Sequence, residues 1–158
     1  MAPSEAPKGR VLAVDYGRRR VGLALSDPLR VLATGLETVE NAPGLASRLA
    51  SLVREQEVSL VVVGLPYDRD GECGESAREV LRFIAQFASA TDVPVRTWDE
   101  SFSSEEAKRL LRAGGAPRKR RRARHLVDRM AAQVILQEFL DSGAAEAGRS
   151  GAQGGMQP

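Results

Sequence analysis

The chain has 158 residues, a length that suits one domain with its own hydrophobic core, and 42% of its residues are hydrophobic and 28% charged. Cys73 is its single cysteine, so no disulfide can form within the chain and we expect a reducing compartment, the cytoplasm. The opening residues lack an apolar signal core, and no apolar run approaches the roughly 20 residues that span a bilayer. We therefore expect neither export nor a membrane anchor.

The formal net charge is only +2, but the charges are unevenly distributed. The segment 112–124, called the basic segment below, contains no acid. It also includes Gly114, Gly115 and Pro117. Its cations are Arg112, Arg118, Lys119, Arg120, Arg121, Arg122 and Arg124. Such a cluster favours contact with a phosphate backbone, the alternative being an ordinary solvated loop.

The first forty residues predict an antiparallel meander. Residues 10–16 and 20–26 are apolar runs separated by a short turn that contains Gly17, a pattern typical of a hairpin. A third extended segment is predicted at 31–39, after the turn signal Asp27-Pro28.

Helices and strands alternate after residue 40. Asn41 is predicted to cap a helix that has Pro43 in its first turn and apolar residues at helical spacing. The β-branched run 58–64 predicts a strand buried on both faces. A helix at about 74–90 and a strand at 93–98 follow, and they complete a second crossover.

The remaining chain predicts two more helices. One begins at Ser103, and the other runs from about 126 to 141. The order predicts an α/β fold with a mixed five-stranded sheet, an antiparallel meander plus parallel strands, and helices on both faces. We expect one domain over 10–142, a flexible N-terminus at 1–9 and a disordered tail at 143–158.

Acidic residues follow two of the predicted parallel strands. Asp15 ends the first strand, and Asp99 and Glu100 follow the strand at 93–98, so these acids should emerge at one edge of the sheet. Asp128 lies on the apolar, inward face of the last helix, where an unpaired carboxylate is costly to bury. Taken singly, each acid is an ordinary turn or helix-start residue.

Converging carboxylates repel one another unless a divalent cation neutralises them. Oxygen ligands without a Cys or His cluster select Mg²⁺ or Mn²⁺, and such ions suit phosphodiester hydrolysis. Other sites have less support. His125 is the only histidine and lies outside any nucleophile motif, Cys73 is a lone thiol, and the inventory is too small for a zinc site.

Four segments, in order, resemble the YqgF or RuvX family. They are DYGRRRVGLALSDP at 15–28, VVVGLPYDRDGECGESA at 61–77, the Asp99-Glu100 pair opening DESFSSEEA, and VDRMAAQVIL at 127–136. Members are described as Holliday junction resolvases and as nucleases that mature the small-subunit ribosomal RNA precursor. The resemblance covers about 10–141 and implies a ribonuclease H-like fold.

The resemblance also implies site residues. The catalytic and metal-binding acids would be Asp15, Glu100 and Asp128, the same acids that the strand ends indicate. Gly17 would permit the tight turn beside Asp15, and Gly64 would shape the loop after the central strand.

Pro66 would shape that loop together with Gly64, near the substrate. Arg20 would contact phosphate, or else pair with a nearby acid. Two positions depart from the family pattern: Ser101 stands where many members have Arg, and Arg129 where many have Ser. Neither removes a metal ligand, and the basic segment could compensate in affinity.

These observations predict a nuclease that uses Mg²⁺ or Mn²⁺ and acts on structured nucleic acid, as a monomer or homodimer, with maturation of the 5′ end of pre-16S rRNA as the favoured role. A Holliday junction resolvase is the alternative, and it would require a symmetric dimer. A non-catalytic factor that binds nucleic acid through the basic segment is the third. An ATPase of the actin type shares the acid-and-glycine hairpin but needs two duplicated domains, for which 158 residues are too few.

Overall fold

The computed structural model describes residues 9–66, 74–99 and 130–145. Its elements are β1 (Arg10–Tyr16), β2 (Arg20–Ser26), β3 (Ala33–Gly35), β4 (Val39–Glu40), α1 (Leu45–Glu55), β5 (Val58–Leu65), α2 (Glu75–Ala90), β6 (Val95–Asp99) and a third helix, α3, over 130–141. Within these ranges no helix has the length and apolar composition needed to cross a membrane. The predicted helix at Ser103, the basic segment, the start of the last helix and most of both tails lie outside the described residues.

The strands form one mixed sheet in the order β3-β2-β1-β5-β6. β1 and β2 pair antiparallel, whereas β5 lies parallel to β1 and β6 lies parallel to β5. The mixed sheet that the sequence predicts is therefore confirmed. The β-branched run of β5 lies between β1 and β6 and is buried at nearly every position, as expected of an interior strand.

The predicted third strand at 31–39 is divided into two. β3 and β4 both pair antiparallel with β2, so the sheet has six strands rather than five. Leu36 and Val39 are three residues apart, yet both pack against the same side of the sheet. A continuous strand alternates its side chains with a period of two and cannot bring both to one face, which explains the break.

The start of α1 also differs from the prediction. Gly44, with φ of 90°, occupies the N-cap position, and Asn41 does not cap the helix. Instead Asn41 Nδ2 donates a hydrogen bond to the Gly17 carbonyl at 2.7 Å, and the Asn41 backbone N–H donates to the Arg19 carbonyl at 2.8 Å. Asn41 therefore fastens the segment before α1 to the β1–β2 turn.

Helices cover both faces of the sheet, as predicted. Leu12 and Val14 of β1 belong to the cluster that packs against α1 and α2, and Val11 and Ala13 belong to the cluster that packs against α3. The second cluster contains several alanines on the sheet and on α3, among them Ala132. Small side chains allow the helix to approach the sheet closely.

Packing continues past residue 142, where the sequence predicts the disordered tail to begin. Gly143, with φ of 79°, ends α3 in the manner predicted, and Ala145 is buried against the α3 face. Arg96 Nη1 donates a hydrogen bond to the Ala144 carbonyl at 2.7 Å. Residues 143–145 therefore belong to the folded domain.

Asp27 organises the loop between β2 and β3. Its Oδ1 accepts hydrogen bonds from the backbone N–H groups of Val31 and Leu32, each at 2.8 Å, and its Oδ2 accepts one from Leu29 at 3.2 Å. Burial works against the charged carboxylate, but the backbone N–H groups, including that of Asp27 itself, outweigh it and lower the pKa of Asp27.

We expect Asp27→Asn to reduce stability in a pH-dependent way. A lowered folded-state pKa contributes stability that is present above the unfolded value of about 4 and is lost as pH falls through the folded value. Urea unfolding at pH 7 should show the variant less stable than the wild type, and the difference should shrink as pH drops below about 4. Asp92→Asn, at an exposed position after α2, is the charge-matched control. A difference that stays constant across this pH range would contradict the account.

Candidate active site

Asp15 occupies the carboxyl edge of the parallel strands, where ligands bind in sheets of this kind. Side chains alternate along β1, and Val11 and Ala13 lie on the α3 face. Asp15 has the same parity and therefore faces the side of the sheet that α3 covers. It is half-buried. The predicted position of Asp15 at a strand end is thus what the structure has.

Glycines flank Asp15 on both neighbouring strands. Gly22 is its direct partner on β2. On the other side Val14 pairs with Val63, so the same register continued by one residue places Gly64 beside Asp15. Cross-strand partners share a face, and neither glycine has a side chain there. The sheet surface around the carboxylate, called the Asp15 recess below, therefore carries no side chain from either neighbouring position.

Gly64 is the second-to-last residue of β5, which ends at Leu65, and its role in shaping the loop that follows stays a prediction. Pro66 follows the end of β5 directly. Gly22 was not predicted as a site residue. The sequence does show a glycine within the run 20–26. That this glycine lies beside Asp15 follows only from the β1–β2 register.

Asp99, the last residue of β6, lies on the face of the sheet opposite Asp15. Trp98 pairs with Gly64 and packs edge-on against Phe139 of α3, with ring centroids 5.4 Å apart, so Trp98 lies on the α3 face. Asp99 is the next residue of the strand, belongs to the opposite face and is exposed. The sequence left the part played by Asp99 open, and the alternation of β6 assigns it to the other side of the sheet.

Glu100, Asp128 and the basic segment lie outside the described residues, so their convergence on Asp15 stays a prediction. In the part of the chain that is described, no three Cys, His, Asp or Glu side chains are grouped as a metal site requires. The sequence predicts that Asp128 lies on the same helix face as Ala132 and Ile135. These two residues are fully buried, so that face of α3 does point inward.

Gly17 is required by a close approach of the main chain. A Cβ atom at this position would lie 2.5 Å from the Arg20 carbonyl oxygen, a distance that real Cβ atoms do not show. Glycine suits this position because the main chain is crowded there, and not because the backbone is left-handed. Arg20 opens β2 on the Asp15 face, diagonal to Asp15 and beside Glu40 of β4. Either predicted role, phosphate contact or acid partner, suits that position.

The order of the strands and the helices on both faces define a ribonuclease H-like fold. One solved structure with this architecture is the Fowlpox virus resolvase in complex with Holliday junction DNA, which aligns with a TM-score of 0.52 at 11% identity over 84% of this chain and 97% of that chain. The RuvX family model, described as Holliday junction resolvase, matches residues 9–142. The chain belongs to the RuvX family.

Curated relatives agree with this assignment. A protein of Syntrophus aciditrophicus is 40% identical over 84% of this chain and 89% of its own length. A protein of Desulforamulus reducens is 38% identical over 85% of this chain and 98% of its own length. Both carry the name "Putative pre-16S rRNA nuclease". The resemblance read from the four sequence segments is thereby confirmed.

We expect Gly17→Ala to destabilise the fold by about 1–3 kcal/mol, the usual cost of forcing an extra methyl into a packed site. The added Cβ must displace the backbone at Arg20, which disturbs the β1–β2 pairing beside Asp15. Urea unfolding measures the change. Arg19→Ala, at an exposed position in the same turn, should stay within about 0.5 kcal/mol of the wild type. Equal stability of the two variants would refute the crowding argument.

Proposed function

We propose that this protein is a divalent-metal-dependent nuclease that hydrolyses phosphodiester bonds in structured RNA, and that it matures the 5′ end of pre-16S rRNA. The observation that carries the proposal is the half-buried carboxylate of Asp15, held in a glycine-lined recess at the carboxyl edge of the sheet. Membership of the RuvX family and the names of the curated relatives support the same class of reaction.

Asp15, Glu100 and Asp128 are the proposed metal ligands. The donor chemistry fits the group, because carboxylate oxygens are the donors that Mg²⁺ and Mn²⁺ prefer and the residues beside Asp15 on both neighbouring strands are glycines. When bound, a pair of such ions supplies the charge that activates the attacking water and stabilises the leaving oxygen. Asp99 is left out of this set because the alternation of β6 puts it on the face opposite Asp15.

The chain's own residues hold and orient the substrate. Asp15 is fixed on a central strand that is paired on both sides, so its carboxylate keeps one position relative to the edge. Arg20 lies two residues from Gly22 on the same face and would contact a phosphate oxygen of the substrate. The basic segment would bind the flanking backbone.

A Holliday junction resolvase is the second candidate, and the description of the family model favours it. Resolution of a junction requires two related cuts and therefore two active sites in a symmetric dimer. A monomer that cleaves single-stranded RNA would exclude this function. A non-catalytic binding factor differs from both, since it would keep its function without Asp15.

We expect Asp15→Asn to abolish cleavage while binding is retained, because the variant keeps the shape of the recess and loses the charge. The measurement compares end-labelled single-stranded RNA, duplex DNA and a four-way DNA junction in Mg²⁺, in Mn²⁺ and with chelator, alongside the oligomeric state of the protein. Asp99→Asn, on the opposite face of the sheet, is the matched control and should retain cleavage.

Each outcome of this experiment decides between candidates. Metal-dependent cleavage of RNA, lost only in Asp15→Asn, supports the RNA nuclease. Selective cutting of the four-way junction by a dimer supports the resolvase. Binding without cleavage of any substrate, unchanged by Asp15→Asn, would refute the nuclease proposal and favour a binding factor.

Neutralising part of the basic segment should weaken binding and lower its dependence on salt. Each phosphate contact to a single strand contributes about −0.7 to the slope of log K against log salt. Replacing Arg120, Arg121 and Arg122 together by Gln should therefore reduce the slope by up to about 2. Fluorescence anisotropy over a salt series measures it, with Arg48→Gln and Arg54→Gln on α1 as a control pair. An unchanged slope would mean that the basic segment does not contact the backbone.

A further inference from the structure

A second feature lies at the same edge of the sheet as Asp15 but on the opposite face. It is an open pocket of about 310 Å³ between the β1–β2 turn, the segment before α1, and α2. Tyr16 lines it, and Tyr16 directly follows Asp15 on β1. Consecutive strand residues point to opposite faces, so the Asp15 recess and the pocket are back to back across one strand.

Aromatic rings form the floor of this pocket. Tyr16 stacks on Phe83, with ring centroids 4.7 Å apart and an interplanar angle of 26°. Phe83 stacks in turn on Phe87, at 5.7 Å and 5°. Phe83 and Phe87 are buried in the core, whereas Tyr16 is only half-buried. Tyr16 is therefore the outermost ring of a fixed column, and such a ring is a platform for a planar ligand.

Amide groups stand beside the aromatic floor. The Asn41 side chain is held in place by the bond from Nδ2 to the Gly17 carbonyl, and its Oδ1 makes no hydrogen bond within the described residues. Gln86, one turn after Phe83 on α2, also lines the pocket and has no side-chain partner in that part of the chain. Side-chain amides present both donors and acceptors, as recognition of the edge of a nucleobase requires.

Two guanidinium groups complete the lining. Arg82 is exposed and makes no ion pair among residues 9–66, 74–99 and 130–145. Arg18 Nε donates a hydrogen bond to Glu79 Oε1 at 3.0 Å, and 70% of the Arg18 side chain remains exposed. Glu79 raises the pKa of Arg18 through this hydrogen bond and its charge. The lining thus carries two cations and one anion, a balance that favours an anionic ligand.

We propose that this pocket binds one unpaired nucleotide of the nucleic-acid strand whose phosphate lies at Asp15. The base stacks on Tyr16, Asn41 and Gln86 bond its edge, and Arg82 holds a phosphate. The combination of an aromatic platform, amides and guanidinium groups is the one that recognises single-stranded nucleotides. The volume of about 310 Å³ is at the lower end of the roughly 300–1,000 Å³ of small-molecule sites, which suits one nucleotide.

The inference rests on the proposed nuclease function and narrows its substrate. In this proposal the nucleic-acid strand passes over the end of β1, with the scissile phosphate at Asp15 on one face and the adjacent nucleotide at Tyr16 on the other. Bases within a duplex are paired and stacked and are not accessible to such a platform. The preferred substrate is therefore a phosphodiester next to an unpaired nucleotide.

The first test measures binding without cleavage. Adenosine 5′-monophosphate is titrated, in metal-free buffer, into the full chain labelled with ¹⁵N, and ribose 5-phosphate serves as the ligand without a base. We expect the nucleotide to shift the amide signals of Tyr16, Arg18, Arg82 and Gln86, and ribose 5-phosphate to bind about tenfold more weakly. Tyr16→Leu should lose about tenfold in affinity, and Tyr16→Phe should retain it.

Surface variants keep this test valid if Tyr16→Leu is destabilised. Arg82→Gln removes a cation with no described partner and should weaken nucleotide binding, whereas Arg48→Gln on α1 removes the same charge outside the pocket and should not. Signals that do not move, equal binding of ribose 5-phosphate, or shifts centred on Asp15 and Gly22 would each overturn the proposal. None of these readouts requires nuclease activity, so they are independent of the cleavage result.

A second test uses cleavage. For a substrate with an unpaired nucleotide beside the cut, Arg82→Gln should raise KM several-fold with little change in kcat. For a continuous duplex it should change neither. If Asp15→Asn abolishes cleavage while Arg82→Gln affects both substrates equally, the nuclease proposal holds and the pocket proposal fails.

Discussion

The site depends on one constraint, the close approach of the main chain at Gly17 to the Arg20 carbonyl in the β1–β2 turn. Gly17 has no side chain, and so the backbone can close onto the Arg20 carbonyl within a distance that excludes a Cβ. Asn41 then stabilises the turn through its hydrogen bonds to the Gly17 and Arg19 carbonyls. The short turn fixes the β1–β2 register, which places Gly22 opposite Asp15 and Val21 opposite Tyr16. A slip of one residue would exchange the two faces and put the carboxylate among the core side chains of α1 and α2.

The same register gives the edge two different surfaces. On the α3 face, the residues beside Asp15 on both neighbouring strands are glycines, which place no side chains around the carboxylate. On the α2 face, Tyr16 continues a column of aromatic rings out of the core. Because the two residues are consecutive, a single strand carries both surfaces, and packing of the core on either side holds them at a constant separation. Such rigid placement would let the site hold a phosphate at Asp15 and a base at Tyr16 together, as we propose.

Much of the fold could be predicted from the sequence because its signals are local. The apolar runs of β1, β2 and β5 and the helical spacing of α2 follow from periodicity alone. The break in the third strand could not be predicted, since it depends on Leu36 and Val39 reaching the same side of the core. Asn41 was misread for a similar reason. Its residue type and position match a helix cap, but a carbonyl 24 residues away in the chain competes for the side chain.

The sequence by itself determined the class of the fold and the family, and it predicted the position of Asp15 near the end of a strand, because these depend on residue types and their order along the chain. Only the tertiary structure decided which residues stand beside Asp15 and which lie behind it. The partnership of Gly22 with Asp15, the separation of Asp99, and the pocket at Tyr16 all depend on strand register and alternation. Register is set by turn geometry and by burial of the correct faces, and these are properties of the packed sheet rather than of any one segment.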